Sequence, residues 1–265
     1  MFVGIFRKLI DSMERTWKNG LKIDNYDVKQ LIGKGSYGTA YLVNHQENGK
    51  PAVLKRIRPY KKLVGNSMNY LENEMNALND LSHPQIPALY AKGEYKGTPY
   101  FVMEWKNGKN FEQLIFGEEQ SYSELESLQI TAKLMNLVQW IHRKGYIHRD
   151  LRIPNILFYK NEISVVDFGL ACLQEGIGSG KHKIHKDYMR EKTVKSDFYA
   201  VGHFLLFLLY SSFEPSTKKE KSWEEELSLS NKTKRILRRL LQIERPYEDD
   251  NEVLNDLYAA IEFLK

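Results

Sequence analysis

Two hydrophobic periods share this chain. In YDVKQLIGKGSYGTAYLVNH (residues 26–45) β-rich stretches without a helical period flank a glycine-rich turn, predicting two short strands. PAVLKRI (51–57) reads as a third strand, and Asn48-Gly49 before it carries the signal of a tight hairpin. Over residues 64–81 the period lengthens: Met68, Leu71, Met75, Leu78 and Leu81 fall on one face of an amphipathic helix. It stops before His83-Pro84, because proline restricts the residue ahead of it. Two more strands flank Lys96-Gly97 and end in YFVMEW.

Beyond residue 105 the longer period dominates. SELESLQITAKLMNLVQWIHRKG predicts a helix from Leu125 to Ile141, closed at Gly145. A polar loop, IHRDLRIPN, precedes short strands in NILFY and EISVVDF, and residues 195–212, 229–243 and 250–264 read as helices. A sheet-rich front and a helical rear imply an α+β chain of two lobes, 21–105 and 106–265, joined near Glu104 to Asn110.

Composition narrows this little. At 265 residues, 42% hydrophobic and 28% charged, the chain has ordinary globular values. A formal charge of +5 suits an anionic ligand or membrane surface, but without a basic-aromatic motif no nucleic acid is expected as a partner. The single cysteine, Cys172, excludes an internal disulfide framework and multi-cysteine zinc sites, which fits a reducing, cytoplasmic setting. The longest apolar run, FLLFLLY, reads as a buried helix, far short of the roughly 20 residues of a membrane span.

The opening MFVGIFRKLIDSMERTW lacks the features of a signal peptide. Phe2, Phe6, Leu9, Met13 and Trp17 recur at helical spacing, giving an amphipathic helix within residues 1–20. That helix either covers an edge of the following domain or, through residues 1–18, meets an anionic membrane or a partner.

The chemistry lies in five places. Gly33, Gly35 and Gly38 form G-x-G-x-x-G in a turn that runs from strand to strand, unlike the strand-to-helix turn of dinucleotide folds. It is either a plain hairpin or a flap whose backbone N–H groups face phosphate oxygens. Lys55 stands on an apolar strand and is either exposed or paired with an acid. Glu74 is the chosen partner over Glu72, since the two cannot both face the strand. His148, Arg149, Asp150, Arg152 and Asn155 form the loop cluster, and Asp167-Phe168-Gly169 follows the strand ISVV. Asn155 and Asp167 supply the oxygen ligands magnesium prefers, leaving Asp150 to accept a proton from an attacking hydroxyl.

In this order and spacing, GKGSYG, AVLK, a helix glutamate, HRDLRIPN and DFG resemble the eukaryotic-type (Hanks-type) protein kinase family over residues 26–265. The resemblance implies a two-lobed kinase fold that uses ATP and Mg2+ to phosphorylate a hydroxyl, most often Ser or Thr, on a protein substrate. It further implies that Lys55, paired with Glu74, holds the α- and β-phosphates under Gly33, Gly35 and Gly38. Asp150 becomes the catalytic base, and Asn155 and Asp167 the metal ligands. Met103 backs the adenine, Glu104 and Trp105 offer hinge backbone, and Val53 and Leu157 sandwich the ring. Leu78, Leu89, His148 and Phe168 look like the apolar spine, and Asp197 like the anchor of the catalytic loop.

The sequence departs from that pattern in four places. Ala40 replaces the usual valine over the adenine, and Arg152 the lysine that steadies the γ-phosphate, with a fork that is not equivalent. Ala-Pro-Glu is absent; Glu191 is the nearest anchoring acid, with Arg245 as its expected partner. The region 212–229 is short and charged, so the substrate-docking helix looks reduced. The basic run Lys181 to Lys186 is either a solvated loop or a preference for acidic substrates or an anionic surface. Ser179, Tyr188 and Thr193 are candidate phosphorylation sites that would engage Arg149. Two alternatives stand beside the kinase reading: a phosphotransferase for a sugar or lipid-linked hydroxyl, and a catalytically silent scaffold.

Overall fold

The computed structural model describes residues 16–35, 38–57, 67–174, 188, 189, 191–214 and 221–265. It divides into two compact units, 1–106 and 107–265. The first is built on a six-stranded antiparallel sheet of β1 (Lys22–Ile23), β2 (Tyr26–Lys34), β3 (Gly38–His45), β4 (Pro51–Ile57), β5 (Leu89–Tyr95) and β6 (Thr98–Glu104), ordered β1-β2-β3-β4-β6-β5. Helix α1 (Ser67–Asp80) lies against β4 and β5, burying Leu71, Glu74, Ala77 and Leu78 at helical spacing.

Turn chemistry fixes the registers. Lys96 and Gly97 both take positive φ, 49° and 73°, as a two-residue β5–β6 hairpin requires. The Asn48-Gly49 turn is longer than expected. Residues 46–50 make a loop in which the Asn48 side chain accepts the Lys50 N–H at 2.9 Å, and Gly49 supplies the positive φ.

The sheet buries side chains on both faces. One face of β3 and β4 carries Ala40, Leu42, Val53 and Lys55; the other carries Tyr41, Val43, Ala52, Leu54 and Arg56. That second face is covered by the segment 16–25, whose Trp17 and Leu21 pack on it. Trp17 lies outside any helix; the helix expected over the first residues falls on 1–15, outside the described residues.

The second unit is mainly helical: α2 (Glu124–Arg143), α3 (Val194–Tyr210), α4 (Trp223–Glu226), α5 (Asn231–Leu240) and α6 (Asp250–Leu264). A capping box starts α2, the Ser123 hydroxyl accepting the Glu126 N–H while Glu126 accepts the Ser123 N–H. Helix α3 is buried on most sides, which matches the apolar run FLLFLLY of its second half. Gly202 lets α5 approach closely: a Cβ there would lie 2.9 Å from that of Leu240. Short strands complete the unit: β7 (Lys109–Asn110), β9 (Ile156–Tyr159) and β10 (Glu162–Val165) form one sheet, and β8 (Tyr146–Ile147) pairs with β11 (Cys172–Leu173). Within 212–229 the described residues hold α4, a single turn tied to α5 by an Arg238–Glu224 fork.

Candidate active site

In the first unit the site is a matter of register. Lys55 lies opposite Ala40 on one side and Phe101 on the other, and Val53 lies opposite Met103. Lysine Nζ meets Glu74 Oε1 at 2.5 Å, with side-chain exposures of 16% and 5%. Glu72 points to solvent, because it sits two positions round the helix. The glycine turn is closed by a Gly35 N–H to Gly38 carbonyl bond of 2.9 Å; residues 36 and 37 lie outside the described residues. Gly38 also lets two backbones approach, since a Cβ would come within 3.1 Å of the Arg56 carbonyl oxygen. Glu104 donates its N–H to Ala88 and accepts the Ala88 N–H on its side chain. Its amide is therefore already engaged, which narrows what it can offer a ligand.

In the second unit the site is a loop with no ladder to hold it, and buried polar groups take that role. Asp197, on α3 and fully buried, accepts the backbone N–H groups of His148 and Arg149, both at 2.8 Å. These bonds hold Arg149 at φ 62°, a left-handed conformation that costs an arginine about 1–3 kcal/mol. Asp197 also bonds His142 Nε2 at 3.0 Å, while His142 Nδ1 meets Asp250 at 2.7 Å. Burial would lower the His142 ring, but the two carboxylates outweigh it and push its pKa up to about 9. Burial would raise Asp197, yet the hydrogen bond and charge of His142 hold it below the usual range. His148 is pulled down by burial and packs on Phe168, ring centroids 4.5 Å apart.

Asp150 stands on this base. Arg152 grips both of its carboxylate oxygens, Nε to Oδ1 at 2.7 Å and Nη2 to Oδ2 at 2.9 Å. That fork raises the guanidinium's pKa. Asn155 donates Nδ2 to the Asp150 carbonyl and to Oδ2, each at 2.9 Å. Pro154 starts the 3-10 turn Ile153–Asn155, and the Val166 N–H bonds the Asn155 carbonyl, tying the turn to the segment that carries Asp167. Asp167 is left-handed, φ 67°, and heads the turn Phe168–Leu170. Leu157 is half-buried on β9 opposite Ser164.

The donor set suits a hard divalent cation. Asn155 spends its amide nitrogen on Asp150, which turns its side-chain oxygen away, and Asp167 adds a carboxylate. Among the described residues no three His, Cys, Asp or Glu side chains cluster as a metal cage. A cation held here would complete its shell with water and a ligand's own oxygens.

Two expectations are corrected. Arg245 is exposed and forms no ion pair with Glu191 among the described residues; its carbonyl instead accepts from Arg239. The Thr193 hydroxyl is enclosed at the start of α3, so it is not presented as a phosphate acceptor. Arg152, expected beside the γ-phosphate, grips the Asp150 carboxylate in this structure. Ser179 and the basic run 181–186 lie outside the described residues. Sequence reasoning missed His142 and Asp250: the signal was a histidine amid the apolar stripe of α2, but its partners lie 55 and 108 residues away.

Residues 26–261 match the protein kinase domain, and the chain belongs to that family. Among its relatives, a Bacillus subtilis protein named "Probable serine/threonine-protein kinase YbdM" is 32% identical over 99% of both chains. Human NUAK family SNF1-like kinase 1 is 30% identical over 60% of this chain, which spans 24% of that protein. The solved PknI kinase domain of Mycobacterium tuberculosis shares the fold, with a TM-score of 0.69 at 18% identity over 93% of this chain and all of that one.

Proposed function

We propose that the chain is a Ser/Thr protein kinase that uses ATP and Mg2+. The observation that carries this reading is that the charged groups the reaction needs are each held by neighbours in their own unit: Lys55 by Glu74 in the first, and in the second Asp150 by Arg152 and Asn155, with its loop held by Asp197. A silent scaffold would have no use for a lysine and a carboxylate held this way. The relative alike over its whole length carries a Ser/Thr kinase name, which favours a protein acceptor over a sugar or lipid-linked hydroxyl.

Lys55 would neutralise the α- and β-phosphates, and Gly33, Gly35 and Gly38 would offer backbone N–H groups to the anion. Ala40, Val53, Met103 and Leu157 would line the adenine, with Glu104 and Trp105 offering backbone at its edge. Asn155 and Asp167 would hold Mg2+, which when bound offsets the charge spreading over the phosphoryl oxygens. Asp150 would accept the proton of the acceptor hydroxyl as its oxygen bonds to the γ-phosphorus and the bond to the ADP oxygen breaks. Arg152 must first loosen its fork from one carboxylate oxygen.

The test is incubation of the purified chain with γ-labelled ATP and Mg2+, with and without generic protein acceptors, followed by phosphosite mapping. Label on Ser or Thr, lost without Mg2+, is expected. ATP hydrolysis with no label on any protein would turn the reading towards a small-molecule acceptor.

No described helix is long and apolar enough to cross a membrane. A cytoplasmic location rests on the single cysteine, and contact of residues 1–18 with an anionic surface rests on charge and helical spacing and is checked by sedimentation with phosphatidylserine vesicles.

A further inference from the structure

Arg56 is the neighbour of Lys55 on β4, and its side chain points to the opposite face of the sheet, where it is only 3% exposed. A guanidinium seldom goes so deep without close partners. Its Nε and Nη2 donate to the Tyr41 hydroxyl at 3.4 and 3.3 Å, and its carbon lies 4.7 Å from the centre of the Trp17 ring. Trp17 stacks on Tyr41 at 5.3 Å and 25°, meets Tyr95 edge-on, and donates its backbone N–H to the same Tyr41 hydroxyl at 3.1 Å.

Trp17 belongs to the segment 16–25, a strap laid over this face. It is fixed at its middle by backbone bonds, Gly20 N–H to Val28 at 2.8 Å and Val28 N–H to Leu21 at 2.9 Å, and near its end by a hydrogen bond from the Tyr100 hydroxyl to Asp24. Tyr100 lies opposite Arg56 in the β4–β6 register. The strap therefore grips β4 at Arg56, both across the sheet and from above. It also lies ahead of residue 26, where the match to the kinase domain begins, so it is a feature of this chain added to that domain.

We infer that Trp17 is a positioning residue for Lys55: by closing the outer face over Arg56, the strap sets the rotation of β4 and with it the direction of the lysine on the other face. Adjacent strand residues share a peptide plane, so a twist of the β4 backbone at Arg56, once the packing over it is lost, turns Lys55 with it. Removing the ring admits water beside Arg56 and loosens the Lys55–Glu74 pair. The consequence for turnover rests on the nucleotide reading above; the consequence for Lys55 geometry does not.

The experiment uses the full chain. Wild type, Trp17→Ala, Trp17→Phe and Arg56→Met are treated briefly with a limiting amine-acylating ester, and labelling of Lys55 is measured by mass spectrometry against exposed Lys92. Trp17→Ala is expected to raise the Lys55-to-Lys92 ratio severalfold and lower kcat/KM for MgATP about tenfold, the order expected for misplacing a positioned group. Trp17→Phe should return both most of the way, because a ring over Arg56 is restored. Arg56→Met keeps the apolar stem and should shift the ratio in the same direction, giving the answer even if Trp17→Ala fails to fold. An unchanged ratio in a folded variant whose strap amides exchange faster overturns the proposal. MgATP should also protect Lys55 in the wild type; absent protection would overturn the nucleotide reading and leave the strap result standing.

Discussion

Glu74 and Asp197 are both buried carboxylates, 4% and 0% exposed, and they are buried for different reasons. Glu74 rides on a regular helix whose apolar stripe, Leu71, Ala77 and Leu78, packs with or without it. It reaches Lys55 because helix phase and strand register deliver both. Asp197 sits under a loop that has neither ladder nor helix, and its oxygens supply the acceptors that a neighbouring strand would otherwise give. One carboxylate is placed by its fold; the other places part of it. Glu74 can thus be changed at little structural cost, whereas the same change at Asp197 removes a support.

The largest effect should fall on chemistry. Asp150→Asn keeps the size of the side chain and an acceptor for Asn155, but removes the base, and should cut turnover by roughly 10² to 10⁴. Calorimetric titration should show MgATP binding retained. Near-normal turnover would take Asp150 out of the base role and leave Arg152 gripping a carboxylate of structural use only.

Next comes the contrast itself. Asp197→Ala strands the His148 and Arg149 amides and the buried His142 cation, and should cost about 3–5 kcal/mol in denaturant unfolding. Glu74→Gln keeps shape and an acceptor for Lys55 and should cost less than about 1.5 kcal/mol while lowering kcat/KM. Equal losses of stability in the two variants would break the comparison.

What was legible in the sequence divides along the same line. The strands along the chain and the helix that carries Glu74 could be read because local pattern marks each element. Helical offset showed that Glu72 and Glu74 cannot both face the strand, and the structure puts Glu74 on Lys55. Asp150, Asn155 and Asp167 could be picked out because their spacing carries a family resemblance. Three other features were not legible. His142 meets Asp250 across 108 residues, a contact no local period encodes. Arg152 was assigned to a phosphate, though the nearest anion in the folded chain is the carboxylate two residues before it. Arg56 gives no sign of burial in PAVLKRI, since what buries it is Trp17, outside the domain pattern.

The third prediction sets the two units against each other in pH. His142 has a folded pKa of about 9 against an ordinary 6.5, so its contribution to stability is complete below about 6.5 and is lost as pH rises through 9. His83, in the first unit, is lowered by burial and by Lys106, so its contribution is lost as pH falls. Fully buried His148 also weighs on the acid side. Raising pH from 7 to 9.5 should therefore accelerate amide exchange in α2 and α3, after correction for intrinsic rates, more than in β3 and β4. Under the same change His142→Gln should show a flatter profile in α2. Equal acceleration in both units, or a His142→Gln profile as steep as wild type, would show that the imidazolium does not hold the loop's support.

The smallest effect tests the claim that the first unit is held by shape. Gly93 on β5 lies opposite Tyr100, and a Cβ there would come within 2.6 Å of the Tyr100 hydroxyl. A ring end in open water would simply swing aside. This ring is 3% exposed and bonded to Asp24 of the strap, so moving it means breaking that bond or shifting β6. Gly93→Ala should cost about 1–3 kcal/mol, as overpacking does, and double-mutant analysis with Asp24→Ala should recover part of the loss by letting the ring move. If Gly93→Ala is as stable as wild type, the strap yields to a single methyl. It could then not set the rotation of β4, and the contrast between a unit held by shape and one held by charge would lose its first half.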